Sequence, residues 1–368
     1  MMVPFVDLHA QYLTIKAEID ETIAAVIRDS AYIRGPFVDR FEQRFATAMN
    51  MPFCVSCGNG TDAIYIALKA LGVGDGDEVI TTAHSWIATS ETVSQAGARV
   101  VFVDTEEDTF TIDPRLIEAK ITPRTKGIIA VHLYGQPADM AAIMPVAERH
   151  GLWVLEDCAQ SHMARFRGQR VGTFGRAAAF SFYPSKNLGA YGDAGCIVTG
   201  DEALARQATM FARHGGMRKG EHEIEGINSR MDGLQAAILA VKLEHLAQWT
   251  AARQRVAAAY DRLLAGVGDI VSPGVAPGRE HVYHLYVVRT RKRDALMDWL
   301  KERGVATVIN YPVALPLLKA YSYMGHTPAE FPVAFANQSR ILSLPIYPEM
   351  TDDMINYVVG QVRTFFAR

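Results

Sequence analysis

The 368-residue chain is 49% hydrophobic and 21% charged, a globular composition with ample material for a large core. Lys and Arg number 37 against 40 Asp and Glu, a net charge of −3 without the basic footprint of a nucleic-acid binder. No apolar run approaches the about 20 residues of a membrane helix. The N-terminal MMVPFVDLHAQY lacks a charged-then-apolar signal layout, so a soluble cytoplasmic protein is expected.

In chain order, YLTIKAEIDETIAAVIRDS (12–30) reads as a helix. From about residue 53 to residue 213, short apolar runs alternate with helical patterns. The expected strands are FCVSC, DEVITTAHSW, ARVVFVD, GIIAVHLYG, LWVLEDCAQ, AAAFSFYP and AGCIVTG. The helices between them are TDAIYIALKALG, TSETVSQAG, DPRLIEAK, ADMAAIMPVAERHG and DEALARQATMFARHG, with Thr61 or Asp62 as a start signal and Gly72, Gly97 and Gly151 as stops. Strands apolar on both faces and separated by helices imply an α/β fold, a mostly parallel sheet covered on both sides. After residue 230 a long helix, MDGLQAAILAVKLEHLAQWTAARQRVAAAYDRLLAG, leads to a Pro/Gly break. A strand (HVYHLYVVRT), a helix (DALMDWLKERG), a second strand (VATVIN) and a final helix (TDDMINYVVGQVRTFFA) follow. The expected organisation is an N-terminal segment 1–35 packing near a small C-terminal α/β domain, a large domain 36–247, and that small domain, 248–368.

Cys54 and Cys57 form a C-x-x-C pattern, but no second pair accompanies them, and small buried thiols are the expected reading. In SCGNGTDA a glycine-rich turn after a strand opens a helix. Helix-start N–H groups at Gly60, Thr61 and Asp62 suit a phosphate, although the same residues serve equally as a plain strand-to-helix turn. Trp86 in HSW is either a core tryptophan or a plate for a flat ligand. VLEDCAQSH ends a strand on Glu156 and Asp157, with Gln160 beyond, at the edge where α/β sheets bind ligands, or else as a capping or ion-paired acid. In SFYPSKNLG, Lys186 follows Ser181 and Tyr183 in apolar, glycine-rich surroundings that favour an unprotonated, reactive amine. Together these supply what a pyridoxal phosphate enzyme needs: a lysine for a Schiff base, a carboxylate for the ring nitrogen, a phosphate cup and a stacking aromatic.

The ordered motifs GTDA, HSWIAT, EDCAQSH, SFYPSKNLGAYGDAG and NSRMDGLQAAIL, flanked by FVDLHAQY, YIRGPFVDRFE and SLPIYPEMT, resemble the DegT/DnrJ/EryC1/StrS family of sugar aminotransferases. The resemblance covers nearly the whole chain. It implies a fold-type-I pyridoxal 5'-phosphate enzyme with a seven-stranded, mostly parallel sheet. It implies that Lys186 bonds the cofactor and shuttles the proton, and that Asp157 pairs with the pyridine nitrogen. Gln160 would lie near the ring hydroxyl, Ser181 and Gly60-Thr61-Asp62 would hold the phosphate, and Trp86 would stack on the ring. It also implies that Asn228 reaches the phosphate in a partner subunit, hence a homodimer with shared sites. Arg230, Arg218, Lys219 and Tyr183 would serve the substrate, with a structural ion pair equally open for Arg230. Relatives with histidine at position 186 dehydrate or deoxygenate sugars, so the lysine favours transamination of a nucleotide-linked 3-keto or 4-keto sugar, with glutamate as donor. A dehydratase, an aminoshikimate-type synthase and a non-catalytic regulator are the alternatives. Two departures from the family pattern stand out: Asn310 and Pro316 replace histidines, and Met163 replaces the glycine after His162.

Overall fold

The computed structural model describes residues 1–218 and 220–368. Its centre is a seven-stranded sheet. In chain order the strands are β1 (Phe53–Cys57), β2 (Glu78–Thr82), β3 (Arg99–Val103), β4 (Thr125–Val131), β5 (Trp153–Asp157), β6 (Ala177–Ser181) and β7 (Gly195–Thr199). The spatial order is β1-β7-β6-β5-β4-β2-β3, and only β7 runs antiparallel to its neighbours. All seven strands expected from the sequence are present; β1 matches its expected run and the other six are shorter than theirs.

Alternation along each strand builds two cores. Val154 of β5 and Ala178 and Phe180 of β6 join Phe41, Phe45 and Ile128 on one side. Leu155, Ala177 and Ala179 join Ala63, Ile66 and Val79 on the other. The first side is covered by helix α3 (Pro36–Met49), for which the sequence gives no helix, and by α6 (Met140–Arg149). The other is covered by α4 (Gly60–Ala70), α5 (Ala88–Gln95) and α7 (Glu202–Ala212).

A third core forms around α8 (Gly233–Leu264), where Tyr260 packs with Tyr286, Leu342, Val358 and Val3. Here the expected strand VATVIN is not one. Val305 bridges only Val3, and Val308 bridges only Ser343. The antiparallel partner of Tyr286–Arg289 is Ile341–Leu344, a short apolar run next to prolines that carries no period of its own. The N-terminal helix is two, Leu8–Thr14 and Lys16–Arg28, broken at Ile15. The segment Asp113–Lys120 forms two 3₁₀ turns rather than an α-helix, with Asp113 capping the first. No helix of the described residues is long and apolar enough to cross a membrane.

Candidate active site

Strands β1, β2, β4, β5 and β6 all end at the same edge of the sheet, because β7 alone is reversed. A cavity of about 680 Å³ opens there, at the carboxyl ends of the strands. Gly60, Thr61, Asp62, Trp86 and Asp157 line it, as do Gln160, Ser181, Tyr183 and Lys186. These residues are spread over more than 120 positions of the sequence and meet only because parallel strands deliver them to one edge.

The turn into α4 begins at Asn59, whose side chain accepts the Asp62 N–H at 2.8 Å. Asn59 is therefore the N-cap, rather than Thr61 or Asp62, and the helix starts one residue earlier than expected. Gly60 must be glycine, since a Cβ there would lie 2.5 Å from Ser181 Cβ. This close approach brings the N–H groups of the helix start beside the end of β6.

Lys186 is carried by a loop that folds back on β6. Its N–H donates to the Tyr183 carbonyl at 2.8 Å, and the Ala190 N–H donates to the Phe182 carbonyl at 2.7 Å. Gly189 permits this fold, because a Cβ there would sit 2.1 Å from the Pro184 oxygen. The Lys186 amine forms no hydrogen bond among the described residues. Burial pushes it down to about 8, against the opposing pull of the Asp157 carboxylate.

The adjacent acids of EDCAQ have separate tasks, because successive side chains of a strand face opposite ways. Asp157 is buried at the cavity. Its Oδ1 accepts the Ala159 N–H at 3.1 Å and its Oδ2 accepts the Thr89 hydroxyl at 2.8 Å. Glu156 points away. It accepts the N–H groups of Gly172, Phe174 and Gly175 at 2.7–2.8 Å and His132 Nε2 at 3.0 Å. His132 Nδ1 accepts the Ala138 N–H, so Nε2 carries the proton given to Glu156. His132, Glu156 and Cys158 lie close enough to resemble a metal cluster, yet the histidine and the carboxylate have their lone pairs in use. This is a structural staple.

Gln160 is clamped at both ends of its amide, accepting the Tyr134 N–H at 2.6 Å and donating to the Tyr311 hydroxyl at 2.8 Å. Trp86 lies four residues beyond the end of β2 rather than on it, 57% exposed at the cavity, with its ring tilted against that of Tyr311. Thr89, Tyr311, His284 and Arg253 also line the cavity and were not picked out from the sequence. Thr89 closes the HSWIAT motif, where the sequence marks only Trp86, while Tyr311, His284 and Arg253 lie outside the motifs assigned to the cofactor and arrive from more than 60 residues downstream of Lys186.

Asn228 and Arg230 do not line this cavity. They flank Ser229, which donates to Asp62 at 2.6 Å and accepts the Gly58 N–H at 2.9 Å, so the NSR strip is pinned to the outside of the α4 turn. Asn228 is exposed there. Arg218 is exposed on a neighbouring loop, with Glu221 3.9 Å away, and Lys219 lies outside the described residues. Of the residues that depart from the family pattern, Asn310 lines the cavity, its side chain accepting the Ser343 hydroxyl at 2.8 Å, Pro316 is buried away from it, and Met163 takes a positive φ of 65°. His162 is buried with neither ring nitrogen bonded, and burial together with Lys186 holds it neutral, at about 3. Cys57, Cys158 and Cys196 are buried thiols pushed well up by desolvation, and Cys54 is free and unpaired with them.

Residues 13–363 match the model of the DegT/DnrJ/EryC1/StrS aminotransferase family. Over its full length the chain is 47% identical to a "Pleiotropic regulatory protein" of Geobacillus stearothermophilus, covering 99% of it. It is 45% identical to the dTDP-3-amino-3,4,6-trideoxy-alpha-D-glucose transaminase of Streptomyces venezuelae, covering all of this chain and 97% of that one. It is 44% identical to the UDP-2-acetamido-2-deoxy-3-oxo-D-glucuronate aminotransferase of Pseudomonas aeruginosa, over 97% of this chain and 98% of the relative. The crystal structure of S. venezuelae DesV in complex with a ketimine intermediate superposes with a TM-score of 0.98 at 44% identity, covering 100% and 99% of the two chains.

Proposed function

The chain belongs to the DegT/DnrJ/EryC1/StrS aminotransferase family, and from that premise we propose that it transfers an amino group from glutamate to C3 of a nucleotide-linked 3-keto sugar. Pyridoxal phosphate is the cofactor of the family, and the residues present fit it. A bare amine faces a carboxylate across a cavity that also holds a helix start brought close by Gly60 and an exposed tryptophan. The position of amination is supported by the 3-amino and 3-oxo sugars in the names of the Streptomyces and Pseudomonas relatives.

When bound, pyridoxal phosphate supplies an electron-accepting ring for the pair left when a proton leaves the carbon next to nitrogen. Asp157, oriented by Thr89 and Ala159, would hold a proton on the ring nitrogen. Ser181 Oγ and the N–H groups of Gly60 and Thr61 would bind the phosphate, the Asp62 N–H being held by the Asn59 side chain. Trp86 would cover one ring face, and Gln160 would serve the ring hydroxyl. Lys186 Nζ takes the proton from the donor α-carbon and returns one to the sugar carbon in the second half-reaction, a single amine acting as base and acid.

In this reading Asn228 serves the site of a second copy of the chain, which accounts for its exposure outside the cavity of its own. Arg230 and Arg218 serve the nucleotide diphosphate from that side, Lys219 is assigned to the same group from its place in the sequence alone, and Tyr183 serves the sugar. Residues 36–247 form the cofactor domain and 248–368 the small domain, with 1–35 beside it.

The observation that carries the reading is the pairing of Lys186 with Asp157 in one cavity. The test is a panel of dTDP-, UDP- and GDP-linked 3-keto and 4-keto sugars with glutamate, the product regiochemistry read by NMR. A C3 amine is expected. Amination only at C4 overturns the position, and a bound chromophore without turnover on any sugar favours a regulatory role.

A further inference from the structure

Besides Lys186, Arg253 is the only lysine or arginine lining the cavity among the described residues. It projects from α8 and is 3% exposed. Its Nη1 donates to three backbone carbonyls, those of Ile346 at 2.9 Å, Tyr283 at 3.2 Å and His284 at 3.4 Å. These contacts fix the guanidinium but do not neutralise it. Nε is buried without a partner, and Nη2 forms no hydrogen bond among the described residues. No carboxylate of the described residues lies within ion-pair distance of it. Glu349 is the acid that acts on it at longer range, and its own Oε1 is buried without a partner. A fixed guanidinium with its remaining donors unspent, buried at a cavity wall, is matched to a planar anion.

The position narrows which anion. His284, whose carbonyl Arg253 holds, also contacts Asn187 through Nδ1 at 3.2 Å, and Asn187 adjoins Lys186. Arg253 is thus two contacts from the reactive amine. A sugar diphosphate carries a bulky nucleoside and needs an open mouth, whereas a 3%-exposed guanidinium admits only a small group. Resting on the aminotransferase reading, we infer that Arg253 binds the α-carboxylate of the amino donor, the group joined to the same carbon as the amine that Lys186 must reach.

The test removes the two partners in turn. The cofactor-loaded wild type, Arg253→Gln and Arg253→Lys are titrated with glutamate and with 4-aminobutyrate, which lacks the α-carboxylate, following the absorption band of the cofactor. The keto-sugar KM is measured in parallel. Wild type should prefer glutamate, and Arg253→Gln should lose about 10–100-fold of that preference, as for a charge-assisted hydrogen-bonded pair. The keto-sugar KM should stay within about two-fold. An unchanged preference in Arg253→Gln, or a rise confined to the keto-sugar KM, overturns the assignment. If Arg253→Gln does not fold, Arg253→Lys must show a partial loss, and its absence overturns the assignment equally. Should the wild type bind glutamate but aminate no sugar, the proposed reaction fails while the two-donor comparison still decides Arg253.

Discussion

Thr89 donates its hydroxyl to Asp157 Oδ2 at 2.8 Å from a position 68 residues earlier in the chain. Having one proton, Thr89 must accept from Ser85, 2.9 Å away, so Ser85, Thr89 and Asp157 form a directed relay. The carboxylate is held in place by a helix that packs on a different strand.

Thr89→Val tests this relay at nearly constant volume. The loss of one hydrogen bond to a charged group, about 1.5–3 kcal/mol, should lower kcat/KM by about tenfold or more and weaken cofactor retention, with only a small change in Tm. Asp157→Asn should cost more, about 10²–10³ in kcat. Steady-state kinetics and cofactor dialysis check both, and a Thr89→Val enzyme of full activity would leave the relay without a role.

Lys186 predicts a pH profile. Burial lowers its amine from 10.5 to about 8, so the folded protein gives up this proton before the unfolded chain does. Between those values the unfolded state binds more protons, and the lysine's contribution to stability of the cofactor-free protein improves as pH rises through that window. Capture of pyridoxal phosphate should accelerate about tenfold per pH unit below about 8 and level off above it. Stopped-flow absorbance measures this, and a rate independent of pH contradicts it. Lys186→Ala should show no covalent capture at any pH.

Glu156 makes the contrasting prediction. Its carboxylate holds three loop N–H groups and His132 on the far side of β5, so Glu156→Ala leaves several buried donors unpaired. The expected cost is about 3–5 kcal/mol of stability, seen as a lower urea midpoint at unchanged m. Activity per folded molecule should remain close to wild type.

Local sequence determined the seven sheet strands, the lysine at which the proposed chemistry centres and most of the turn proposed for the phosphate. Strand periodicity, glycine placement and the lysine's apolar flank are all written within a few residues of each other. The same short range accounts for the errors. Asn59 is masked as a cap by two neighbouring residues of capping type, and Ile341–Leu344 carries no local signal because its β-character comes from pairing with Tyr286–Arg289 rather than from alternation.

Tertiary structure decided what the side chains do. It separated Glu156 from Asp157 by the two faces of one strand. It brought Thr89, Tyr311 and Arg253 to a lysine from which they are 97, 125 and 67 residues distant by numbering. It set the amine near 8 by burying it away from water. Desolvation and hydrogen-bond geometry depend on which atoms surround a group, and those atoms come from distant parts of the chain, where no local pattern records them.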